Sequence, residues 1–142
     1  MRKYGLSVLL LAALAIVLTL ACGSSPRMLR SVSLSPPTTD AQGNPVQVVA
    51  TGYFSQQPSP VKLTAPAWGA CNPNQPYLPT TAVSVSADGV AQCAPGTVGT
   101  YTVWAVAQRG GDSCGPAGTV PANFCGGAGE CQVSGKAQLT CP

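Results

Sequence analysis

Hydrophobic positions follow two different patterns along this chain. Residues 6–20 are apolar almost without a break, whereas from Arg30 onward apolar residues alternate with polar ones in short runs divided by Gly, Pro, Asn and Asp. Alternation at period two predicts half-buried strands. It runs through residues 30–35, where Val32 and Leu34 oppose serines until Pro36 and Pro37 stop the run. In residues 46–54, Val46, Val48, Ala50 and Phe54 share one face. Residues 61–68 predict a third strand, in which Pro66 marks an edge or a bulge. Residues 81–86 and 90–93 flank Asp88-Gly89, a dipeptide that favours a tight hairpin. Residues 100–108 are the clearest strand, with Tyr101, Val103, Ala105 and Ala107 on one side and Trp104 and Val106 on the other. Residues 132–141 predict a last strand, or a short hairpin turning at Ser134-Gly135. No stretch beyond the apolar leader carries a 3.6-residue period, so essentially no helix is expected. About seven short strands separated by turn signals predict an all-β fold, an antiparallel sandwich.

Composition sharpens that picture. Sixteen glycines and 14 prolines suit turn-rich β structure, and charged residues are only 8% of the chain, too few for solvated helical faces. Arg2 and Lys3 precede the apolar run, which at roughly 15 residues is short for a membrane span but matches the core of an export signal. With residues 1–21 removed as a signal peptide, five basic residues (Arg27, Arg30, Lys62, Arg109, Lys136) face four acidic ones (Asp40, Asp88, Asp112, Glu130), a net charge of +1. No basic run marks a nucleic-acid or anionic-lipid partner, and nucleic acid is not expected.

Residues 19–22, Thr-Leu-Ala-Cys, close the apolar run and resemble the end of a bacterial lipoprotein signal. The resemblance implies that Cys22 receives lipid, palmitate among its acyl chains, and becomes the mature N-terminus at a membrane of the cell envelope. Thr19 departs from the Leu, Val or Ile usual there. Without lipidation, Cys22 is a plain thiol near an ordinary cleavage site or part of an uncleaved anchor. Gly23 next to Cys22 fits an outer-membrane or periplasm-facing location under the sorting pattern of enteric bacteria. Residues 22–28, with Gly23, Ser24, Ser25 and Pro26, are expected to be a flexible tether, and residues 29–142 one domain with a Gly/Cys-rich insertion over 109–131.

The run of VSLSP, GNPVQVVATGYF, a Trp after a short strand, VSVSADGVAQC and GTYTVWAVA, over about residues 29–108, is similar to the bacterial immunoglobulin-like group 2 domains. That similarity implies an immunoglobulin-like sandwich of about seven strands, displayed at the surface and making protein or carbohydrate contacts. The additional cysteines and the 109–131 insertion depart from the family pattern.

Candidate chemistry is sparse. Histidine is absent, which removes the commonest general base and metal ligand. Asp40, Asp88, Asp112 and Glu130 fall in turns and form no acid/base pair, so no catalytic residue, cofactor or metal is assigned and a non-enzymatic role is expected. Setting Cys22 aside, Cys71, Cys93, Cys114, Cys125, Cys131 and Cys141 are an even set in an exported chain, which predicts three disulfides. A zinc site on Cys114, Cys125, Cys131 and Cys141 is disfavoured by the lack of a close C-x-x-C pair. Cys71 and Cys93 each end a predicted strand and form the first expected pair; Cys131 with Cys141 across a terminal hairpin then leaves Cys114 for Cys125. Trp68 and Tyr77 are the candidate ligand-contact aromatics. Exposed on a flat sheet face, they would mark a carbohydrate-binding module; an enzyme built on a free cysteine is a remote third reading.

Overall fold

A computed structural model describes residues 25–41, 43–110, 114, 125 and 127–142. The described residues form ten strands and no α-helix. They are β1 (Leu29–Ser35), β2 (Thr38–Asp40), β3 (Val46–Gln47), β4 (Val49–Phe54), β5 (Val61–Lys62), β6 (Ala67–Cys71), β7 (Val83–Val85), β8 (Val90–Cys93), β9 (Gly99–Gln108) and β10 (Gln132–Cys141).

They assemble into a four-stranded sheet, β2-β10-β9-β6, and two three-stranded sheets, β1-β4-β5 and β3-β8-β7. Every pairing is antiparallel except that of β2 with β10. Alternation along β1 turns Val32 and Leu34 inward, and along β9 it turns Val103 and Ala105 inward. These residues meet Val48, Ala50, Ala70, Val83, Ala91, Ala137 and Leu139 in one core fed by all three sheets. The architecture is sandwich-like, and its core is built largely from alanine and valine, which contribute less burial per residue than larger side chains.

Ten segments replace the expected seven because two of the predicted strands are divided and one more forms in a predicted turn. Residues 46–54 keep their expected inward face, yet the run breaks at Val48, whose N–H donates to Gly89 O at 2.9 Å. β3 then pairs with β8, and β4 with β1. The predicted strand over 61–68 divides into β5 and β6, with Pro66, which cannot donate to a ladder, in the gap. β2 lies where a turn was expected, held by a parallel register of Gln138, Leu139 and Thr140 against Thr38, Thr39 and Asp40. Such pairing is invisible to local patterning. The Asp88-Gly89 hairpin forms as expected, with Gly89 at φ 84°.

β10 is one unbroken strand and not a hairpin at Ser134-Gly135. Gly135 is opposite Ala105 and packs on the Val32 backbone, so the missing side chain serves a close approach and not a turn. That continuity overturns the expected disulfide pattern. Cys131 and Cys141 bracket a ten-residue strand and so lie roughly 30 Å apart, far beyond disulfide reach. The structure instead pairs Cys71–Cys125, Cys93–Cys141 and Cys114–Cys131, with Cα separations of 5.7, 5.9 and 5.2 Å. Cys71 follows inward-facing Ala70 and so points to the outer face of its sheet, away from Cys93 on the opposite layer. Cys93–Cys141 crosslinks β8 to the end of β10 across the sandwich, while the other two bonds fix the 109–131 excursion to β6 and to the start of β10.

Candidate functional site

The described carboxylates are scattered. Asp40 stands in register with Thr140 at one end of β10, Glu130 precedes the other end, and Asp88 sits in the β7–β8 turn, where its carbonyl accepts from Gln47 Nε2 at 2.8 Å. Asp112 lies outside the described residues. Among the described residues, no group of three His, Cys, Asp or Glu side chains gathers in metal-binding proximity.

Trp68 is the aromatic around which open space collects. It is opposite Ala105 on the inward side of β6, and its ring edge closes on Gly89, where an added Cβ would meet Trp68 Cζ2 at 2.8 Å. Half-buried there, it separates two cavities. One, of ≈ 300 Å³, is lined by Gln47, Val48, Lys62, Pro66 and Asp88; the other, of ≈ 450 Å³, by Ala70, Thr80, Val83, Val85 and Cys125. Trp68 Nε1 is buried without a hydrogen-bond partner, a donor that a ligand or water in either cavity could satisfy. The predicted aromatic pair is not brought together on a flat face: Trp68 packs into the core, and Tyr77, 58% exposed, stands on the loop returning from β6. That loop is fixed by Asn72 N–H to Leu78 O at 2.9 Å and Thr80 N–H to Ala70 O at 3.0 Å. Trp104 occupies the outer face of β9, with Lys136 Nζ 5.3 Å from its ring and its own Nε1 also buried and unpartnered.

All six cysteines downstream of Cys22 are in disulfides. Cys22 itself lies outside the described residues, as does the whole leader.

A second site gathers at the N-terminal pole, and its parts are too far apart in sequence to suggest one another. Arg27 lays its guanidinium 3.6 Å from the centroid of the Phe54 ring and donates from Nη2 to Pro58 O at 2.6 Å. Gln56 Nε2 donates to Ser25 O, while Met28 and Ser55 exchange two bonds, N–H to Oγ at 2.9 Å and N–H to O at 2.8 Å. The expected tether is therefore docked on the β4–β5 loop from Ser25 onward. Leu29 N–H donates to Arg109 O at 2.7 Å, and Arg109 N–H to Cys131 O at 2.8 Å. Exposed Arg27, Arg30 and Arg109 thus share one pole, with Glu130 beside them.

In comparison with known proteins, no family model matches this chain and no curated protein matches it in sequence.

Proposed function

We propose that this is a lipid-anchored protein of the cell envelope, carrying a non-catalytic immunoglobulin-like sandwich in a structural or adhesive binding role. The observation that carries the reading is the order of the strands. The sheet β2-β10-β9-β6 packs over a layer in which β1 pairs β4 and β3 pairs β8 and β7. An immunoglobulin-like domain likewise places its third, sixth and seventh strands in one sheet and its first, second, fourth and fifth in the other. With β3 and β4 taken as one interrupted second strand, β6, β9 and β10 fill the first set and β1, β3/β4, β7 and β8 the second. Three disulfides in a small core fit an oxidising compartment outside the cytoplasm. Palmitate labelling of the full chain tests the anchor: incorporation that disappears in Cys22→Ser is expected, and an unlabelled wild-type chain excludes it.

Carbohydrate binding is the second reading, favoured by the unpartnered Trp68 Nε1 between two cavities rather than by an exposed platform. Envelope oligosaccharides that shift tryptophan emission in the wild type but not in Trp68→Phe support it. No shift with any of them removes it.

A further inference from the structure

The docked N-terminus fixes where the domain sits relative to its anchor. Only Gly23 and Ser24 separate Cys22 from Ser25, whose carbonyl is already bonded to Gln56. Three residue steps span at most roughly 11 Å, well under the width of a domain of this size. A lipidated Cys22 at the headgroup boundary would therefore hold Ser25 and the β4–β5 loop bonded to it beside the bilayer surface, with the three arginines on that same membrane-facing pole.

We propose that the pole carrying Arg27, Arg30 and Arg109 docks on the anionic headgroups of the bilayer that anchors Cys22. The inference rests on the lipid-anchor reading and adds a partner surface to it. Three of the five basic residues beyond Cys22 lie at this pole, against Glu130 as its described acidic neighbour. Asp40 lies at the far end of β10 and Asp88 in the hairpin beside Val48, so among the described residues the charge is polarised toward the tethered end. Arg27 is held by Phe54 and Pro58 yet remains exposed, while Arg30 and Arg109 project from strand ends. Each arginine near an anionic surface adds on the order of five-fold to the contact equilibrium.

The test is amide hydrogen exchange on the full acylated chain in vesicles of phosphatidylcholine, with and without phosphatidylglycerol. Exchange over residues 55–60 and 107–110 is expected to slow in the anionic vesicles. It should recover toward the neutral-vesicle rate at molar salt and in the double variant Arg30→Gln, Arg109→Gln. Equal exchange in the two vesicle types, or protection centred on the 86–89 turn, overturns the docking pole while leaving the anchor intact. The salt arm needs no substitution, so a poorly folding variant does not shield the proposal. An N-terminal peptide of unmodified mass and a chain that fails to float with neutral vesicles overturn the anchor itself, and the docking with it.

Discussion

Two glycines show how single atoms set the spacing of this fold. A Cβ on Gly135 would lie 2.7 Å from Val32 O and 3.0 Å from its carbonyl carbon, and the obstacle is backbone that cannot rotate away. Gly135→Ala is expected to cost about 1–3 kcal/mol, read as a lower urea midpoint with an unchanged slope; an unmoved midpoint contradicts the close packing of β1 on β10. Gly89 carries two burdens, a left-handed φ of 84° and contact with both Val48 O and the Trp68 ring. Gly89→Ala should therefore cost more, about 2–4 kcal/mol. It should also shift Trp68 emission, because the ring must move to admit the methyl group. A destabilised variant with unchanged emission would place the strain elsewhere in the hairpin.

At the level of elements, burial ranks the disulfides. Cys71 and Cys125 are 1% and 7% exposed and Cys141 is 3% exposed, whereas Cys114 and Cys131 are both only half-buried. Thiol–disulfide exchange needs access to sulfur, so limited reduction followed by alkylation is expected to tag Cys114 and Cys131 first. Early tagging of Cys71 would contradict that ranking. Which elements were legible in the sequence follows from how local their causes are. β8, β9 and the Asp88-Gly89 hairpin declare themselves through period-two alternation and a turn dipeptide, and the inward face of 46–54 is correct across its break. β2, the division at Val48 and the cysteine pairing depend on which strands become neighbours, and no residue near them carries that information. The N-terminal pole was hidden for the same reason: Arg27, Arg30 and Arg109 share one end of the fold only because β1 begins where β9 ends.

At the scale of the whole molecule, a core of alanines and valines leaves the crosslinks a large share of stability. In the chain-entropy model, sequence separations of 54 and 48 correspond to about 4 kcal/mol each, and the separation of 17 to about 3 kcal/mol. The loops overlap, so these terms do not simply add, but even two of them rival the 5–15 kcal/mol by which domains are typically stable. Cys93–Cys141 has a particular leverage, since it is the bond that joins the two layers directly. Full reduction is therefore expected to abolish near-UV circular dichroism and the cooperative thermal transition, and Cys93→Ala with Cys141→Ala to lower the melting temperature more than Cys114→Ala with Cys131→Ala. A reduced chain that still melts cooperatively within about 5 °C of the oxidised one would mean the packing alone suffices. The expected collapse instead ties the native state to an oxidising environment, where the three bonds can form and persist.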